Sequence, residues 1–222
     1  MAGVTTLPTG ARLTGIHVQL DPVIEDDLPR LARILAEPAL YSAGYVMHHR
    51  PDSEADALAM ARARYLNPPA PDGHGKGRIA YAVRLLHDSA LGAAGTVVGT
   101  SSLGDADLAN ERIHLGWTMC HPGVWGTAVN PEAKFLLLRH TFEDLGFGRV
   151  KLQTDALNTR SQAAIAKLGA TREGVLRRHQ RREDGTFRDT VVFSVTADEW
   201  PGVRDGLLAR IGGSRPAASE PA

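Results

Sequence analysis

Residues 111–134 constrain this chain more than any other run: ERIHLGWTMC alternates apolar and polar positions, breaks at Pro122-Gly123, and passes through small residues into Asn130-Pro131-Glu132. Period-two alternation marks a half-buried strand, and asparagine followed by proline and an acidic residue marks the cap and first turn of a helix. A strand delivering the chain through Gly126-Thr127-Ala128 to a helix start gathers backbone N–H groups at the positive end of a dipole worth roughly half a charge. Such a junction suits a phosphate, and an anionic cofactor is its simplest occupant.

With 222 residues and 43% apolar content the chain is long enough for one sizeable core and short for two. We expect a single domain over 1–213 and a loose tail over 214–222, where SRPAASEPA has too little apolar matter to offset ordering. Basic and acidic residues balance at 25 each, so no global field recruits nucleic acid or an anionic membrane, and any anion site must be local. Cys120 is the single cysteine, which excludes an intramolecular disulfide framework. The N-terminus MAGVTTLPTG lacks a basic and an apolar signal region, and no apolar run approaches the roughly 18 residues of a membrane span. These features read as soluble and cytoplasmic.

The remaining pattern predicts a strand over 13–20, helices over 25–37 and 53–65, the second with Ser53 or Asp52 as N-cap and acidic residues in its first turn, a proline- and glycine-rich loop over 67–77, and strands over 79–86, 96–104 and 112–119 joined as an antiparallel meander. A helix over 131–145 carries the stripe Phe135, Leu138, Phe142 and Leu145, with Asn130 as N-cap and Gly146 just past its end. A strand over 150–154, a helix over 159–168, a hairpin of 173–182 with 187–195 about Asp184-Gly185, and a helix over 198–211 complete the expectation. No internal repeat is evident.

This order of elements, carried by Leu115-Gly116-Trp117-Thr118, by Asn130-Pro131-Glu132-Ala133-Lys134 with Leu136-Leu137-Leu138-Arg139-His140, by Asn158-x-x-Ser161 and by residues 172–177, resembles the GNAT N-acetyltransferases, in particular their RimJ/RimL-like branch. The resemblance covers roughly residues 12–201. It implies an α/β fold with a central, mostly antiparallel sheet splayed between its fourth and fifth strands, acetyl-CoA as co-substrate without a metal, and direct acetyl transfer to a primary amine in a ternary complex. The acceptor is a protein N-terminus or a small amine. The family's phosphate loop commonly reads Gln/Arg-x-x-Gly-x-Gly/Ala. Here the matching residues are Trp125, Gly126, Thr127, Ala128, Val129 and Asn130, which keep a turn but alter its small positions.

The resemblance implies roles for particular residues. His114 stands where relatives commonly place a glutamate that relays a proton, and an imidazole of unperturbed pKa near 6.5 suits that work at neutral pH; the bland alternative is a histidine half-buried on a strand. Ser161 falls where relatives keep a hydroxyl near the departing CoA sulfur, or else caps its helix. Asn158 is structural or contacts CoA, and the Met119 N–H is the expected donor to the thioester oxygen. Trp117 walls the acceptor pocket or packs in the core, and Trp125 is divided the same way. Residues 177–182, RRHQRR, form the one dense basic run, read as a solvated hairpin before a nucleic-acid patch. Cys120 lacks an evident base to make it a nucleophile, and no histidine pair has metal-ligand spacing. A catalytically silent acyl-CoA-binding module and an RNA-associated protein are the alternatives. The partners so implied are acetyl-CoA and an amine acceptor, with a homodimer as an open alternative to a monomer.

Overall fold

The computed structural model describes residues 4–44, 48–66 and 77–212. The tail expected at 214–222, and all but Gly77 of the loop expected at 67–77, lie outside these residues. Eight strands are described: β1 (Leu13–Thr14), β2 (Val18–Pro22), β3 (Arg78–Leu85), β4 (Val97–Asp107), β5 (Arg112–Cys120), β6 (Arg149–Asp155), β7 (Thr171–Arg181) and β8 (Phe187–Thr196). They join in one sheet of order β1-β2-β3-β4-β5-β6-β8-β7, in which every neighbouring pair is antiparallel except β5 and β6. The meander of β3, β4 and β5 and the β7–β8 hairpin follow the alternation that predicted them.

Six α-helices flank the sheet: α1 (Leu28–Leu35), α2 (Pro38–Ser42), α3 (Glu54–Tyr65), α4 (Val129–Arg139), α5 (Thr159–Ala166) and α6 (Trp200–Gly212). On one face α1 and α3 bury Leu31, Leu35, Ala57 and Ala61 with Ala80, Ala82, Val97 and Met119 of the sheet. On the other, α4 and α6 bury Leu136, Leu137, Trp200 and Leu207 with Leu115, Val150, Leu152 and Phe193. Alternate residues of each strand thus serve opposite cores, which is why the strands read as period two.

Three elements differ from the expectation. The strand expected over 13–20 is two strands, because the chain turns at Gly15 and the N–H groups of Ile16, His17 and Val18 all donate to the Glu132 carboxylate of α4, at 2.7, 2.7 and 2.8 Å. A Cβ at Gly15 would lie 2.5 Å from the Glu132 Cδ, so only glycine admits that approach. The helix expected over 25–37 is a 3-10 turn at Glu25–Asp27 followed by α1, and it stops short of Pro38 because Glu37 before the proline is extended, at ψ 116°. The five-residue α2 is too short to leave a readable apolar period. By contrast α3 begins where its cap predicted, with Ser53 Oγ accepting from Asp56 N at 3.1 Å.

The helix after β5 also starts earlier than Asn130. Ala128 occupies the N-cap position, Thr127 Oγ1 accepts from Val129 N at 3.3 Å, and Asn130 and Pro131 fall inside the first turn. At its other end α4 gives way to a π-helical turn over His140–Asp144 before Gly146 leaves at φ +71°, the left-handed conformation glycine adopts without strain.

Candidate active site

Strands β5 and β6 pair at only three positions, Arg112 with Arg149, Ile113 with Val150 and His114 with Lys151. Beyond these, residues 115–120 and 152–155 diverge, and the edges they turn toward each other have no strand partner among the described residues. Counting from the N-terminus this opening lies between the fifth and sixth strands, one later than expected, because the first expected strand is split. A cleft of about 1270 Å³ fills the opening and is lined by His114, Trp117, Gly126, Asn130 and Ser161 among others. Unpaired strand edges offer a ladder of donors and acceptors to an extended ligand.

At the rim, a 3-10 turn at Pro122–Val124 and Gly126 at φ +79° redirect the chain into α4. The N–H of Thr127 donates to Val124 O at 3.4 Å and that of Val129 to the Thr127 hydroxyl. Those of Gly126, Ala128 and Asn130 make no hydrogen bond among the described residues. Ala128 has φ −68°, compatible with its Cβ. Trp125 braces the turn: its Nε1 donates to Cys120 O at 3.0 Å, and the Arg160 guanidinium of α5 lies 3.5 Å above its ring. Free amides at a helix start form an anion cradle.

Lower in the cleft, β5 carries an extra residue: Ser102 pairs with Gly116 and Thr100 with Met119, so Trp117 and Thr118 together oppose Ser101. Trp117 sits at φ +49°, the left-handed conformation that this β-bulge imposes on a non-glycine residue. Lys134 of α4 reaches the bulge from behind, donating to Ser101 Oγ at 2.9 Å and to Thr118 Oγ1. It is buried without a carboxylate partner among the described residues, and burial pushes its pKa down to about 8. The bulge also settles which amides face the opening. His121 N donates to Val98 O at 2.8 Å, and alternation along the ladder then turns Met119 N–H toward Thr100 and Cys120 N–H toward the gap. Met119 N–H, the expected donor to the thioester oxygen, therefore points away from the cleft.

His114 is 3% exposed, with Nδ1 3.2 Å from Asp105 Oδ2. An ionised carboxylate only accepts, so the imidazole proton on this side belongs to Nδ1 and Nε2 keeps its lone pair. Nε2 is buried and unpartnered. Burial holds the His114 pKa below its usual value, with Lys151 adding to that and Asp105 opposing it. The bond from His114 in turn lowers the Asp105 pKa, against the opposing effect of its own partial burial. Gly116 leaves room for the ring, since a Cβ there would come within 2.5 Å of Nε2. Trp117 lies over the same ring, 4.4 Å between centroids, beneath the Arg78 guanidinium. At 39% exposed it belongs to the cleft wall and not to the core.

Asn158 proves to be the cap of α5, its Oδ1 accepting from Ser161 N at 2.8 Å, which removes the reading of Ser161 as the cap. The Ser161 side chain lines the cleft instead. Cys120 is buried with its thiol pKa pushed up to about 11, which leaves it protonated and unsuited to nucleophilic attack. The basic run is divided by its surroundings: Arg182 is taken by Asp155, and Arg178 and Arg181 lie on the Phe187 ring at 3.8 and 5.5 Å. No group of three or more histidine, cysteine, aspartate or glutamate side chains suited to a metal occurs among the described residues, and no described helix is long and apolar enough to cross a membrane. Sequence reasoning assigned no role to Asp105, Lys134 or Arg188, all of which line the cleft.

The family of the acetyltransferase (GNAT) domain matches residues 17–171, and the chain belongs to that family. Among solved structures, a T. thermophilus protein assigned as an acetyltransferase is 35% identical, with a TM-score of 0.76 over 93% of this chain and all of that one. Mycobacterium smegmatis RimJ, solved with CoA-disulfide, is 21% identical with a TM-score of 0.72 over 93% of this chain and 96% of its own, a likeness of fold. An uncharacterised N-acetyltransferase, p20 of Bacillus licheniformis, is 27% identical over 106 residues, which make up 48% of this chain and 58% of that protein. The matched part thus spans little more than half of that relative.

Proposed function

We propose that this chain moves an acetyl group from acetyl-CoA to a primary amine, a protein N-terminus or a small amine, by direct transfer within a ternary complex. The observation that carries the reading is the divergence of β5 from β6 beneath three unpaired amides. The chemistry of these groups fits coenzyme A: Gly126, Ala128 and Asn130 N–H meet a diphosphate, and the free strand edges meet an extended pantetheine arm. The RimJ neighbour with its CoA-disulfide supports the same placement by fold.

In this reading His114 Nε2 takes the proton from the incoming ammonium, directly or through one water, while Asp105 holds the ring and steadies the imidazolium. The freed amine adds to the thioester carbonyl and the C–S bond breaks. Main-chain N–H groups turned toward the gap at the bulge, rather than that of Met119, face the charge that develops on oxygen. The Lys134 ammonium fixes the bulge through Ser101 and Thr118. The departing thiolate, of ordinary pKa about 8.5, is stabilised by a hydrogen bond from the Ser161 hydroxyl and takes up the second proton that the amine nitrogen sheds on acylation. Trp117 and Arg78 wall the acceptor side.

The test is thiol release from acetyl-CoA with a panel of N-terminal peptides and small amines. Amine-dependent release abolished in His114→Gln supports the reading. Acetyl-CoA binding with release at background for every amine would make the chain a silent acyl-CoA module and overturn it.

A further inference from the structure

Arg188, near the start of β8, is 8% exposed and lines the cleft, yet among the described residues its side chain makes no hydrogen bond or ion pair, and its Nε is buried without a partner. The carboxylate beside it is already committed. Asp155 accepts from Arg182 Nε and Nη2, both at 2.9 Å, and from Leu157 N at 2.9 Å. One carboxylate, bonded to Arg182, thus stands beside two guanidinium groups, and this wall of the cleft carries an excess buried positive charge. Burial disfavours the charged form of Arg188, as expected for a cation whose counter-charge is missing. A buried cation without a partner is costly, and a ligand anion is the natural complement.

Strand alternation says which half of the cleft it serves. Lys151 pairs with His114, Asp155 pairs with Thr190, and Arg188 stands two residues before Thr190, so all of these share one face of the sheet. Gln180, paired with Arg188 on β7, lines the same wall. Leu152, Val191 and the residues of α4 that follow the amide turn pack together on the opposite face. The acceptor face, not the diphosphate cradle, owns Arg188.

We propose that Arg188 is the anion anchor of the acceptor site and that the preferred acceptor is an amine carrying a carboxylate at a distance from the reacting nitrogen. The inference rests on the acetyl-transfer reading for the identity of that nitrogen. From β5 to β8 is two strand spacings, roughly 10 Å, and Arg188 stands six residues along β8 from Ser194, the partner of Lys151, roughly 20 Å further along the strands. An amino acid's own carboxylate is too close to its amine to span it. A peptide N-terminus with an acidic side chain at its fourth or fifth residue does span it, at about 3.3 Å per extended residue with the length of the arginine side chain added.

Binding is measured first, because it needs no turnover. Protein saturated with CoA is titrated calorimetrically with the hexapeptide amides SAADDF and SAANNF, which differ only in carboxylate against amide. The expected result is binding of the acidic peptide about 10–100-fold tighter, the range of one hydrogen bond to a charged group. Arg188→Gln removes the preference, Arg188→Lys restores part of it, and CoA affinity stays unchanged in both. Equal affinity of the wild-type protein for the two peptides overturns the proposal without any variant. A loss of CoA affinity in Arg188→Gln overturns it as well, by placing the residue in the cofactor site. Failure of the transfer reading looks different: the acidic preference persists in binding while acetyl-CoA releases no thiol.

Discussion

Glu132 and Lys134 stand two residues apart on α4, opposite in charge and both buried, at 2% and 5% exposed. Two helical steps turn the chain by about 200°, so they serve opposite sides of the helix. Glu132 closes the β1–β2 turn, where three backbone N–H groups meet its carboxylate. Lys134 faces the opening between β5 and β6, where two hydroxyls hold its ammonium and no carboxylate answers it. The closed joint satisfies its charge internally. The open cleft leaves Lys134 without a carboxylate and His114 Nε2 and Arg188 Nε without hydrogen bonds among the described residues, which suits it to a polar ligand.

Four substitutions test this contrast, from the largest expected effect downward. His114→Gln keeps a polar side chain but cannot take a proton, and kcat falls about 10²–10⁴-fold at pH 7.5, measured by thiol release. Glu132→Ala strips three backbone donors of their shared acceptor and lowers unfolding free energy by about 2–4 kcal/mol in urea melts, with no direct effect on chemistry. A loss below about 1 kcal/mol would mean that the joint is not held by that charge.

Lys134→Met addresses the unmet side. Below pH about 8 the native amine is protonated, as it is in the unfolded chain, and the cost of burying the charge is carried in full. Between about 8 and the ordinary 10.5 the native state releases its proton first, so the unfolded state binds more protons and stability rises with pH. This contribution amounts to about 3 kcal/mol across that window. It appears as a pH-dependent difference between wild type and Lys134→Met in paired melts at pH 7.5 and 10, and a constant difference would refute the burial argument. Asp105→Asn gives the smallest effect, about tenfold in kcat/KM. His114 must be neutral to act, so kcat/KM rises with pH through its pKa, which lies below the usual value. Asp105 raises that pKa, so its removal shifts the acid limb further down.

Much of this architecture could be read from residue pattern. Ser53 before an acidic turn announced α3, Gly146 closed the helical stretch after β5, and alternation through residues 112–119 placed His114 and Gly116 on one face. What escaped depended on contacts distant in sequence. The break at Gly15 follows from a carboxylate 117 residues later, which no local pattern records. Asn130-Pro131 has the form of a cap and first helical residue, but the Thr127 hydroxyl and the left-handed Gly126 start the helix sooner.

The site divides along the same line. His114 and the turn at Gly126 belong to one local motif and were legible. Asp105 reaches His114 only through the β4–β5 register, which pairs Gly104 with His114, and Arg188 reaches the cleft only because β8 lies beside β6. The direction of the Met119 N–H depends on the extra residue at Trp117, which changes the register between β4 and β5, and a one-residue bulge leaves no mark on an alternating sequence.

The central claim is that the opening between β5 and β6, with its three free amides, is a coenzyme A site. Isothermal titration of acetyl-CoA into the full chain at neutral pH tests it most directly. The account predicts saturable binding of one equivalent, weakened at least tenfold in Gly126→Val, where a β-branched residue cannot adopt φ +79° without strain. No heat with acetyl-CoA or CoA, or equal affinity in Gly126→Val, would contradict it.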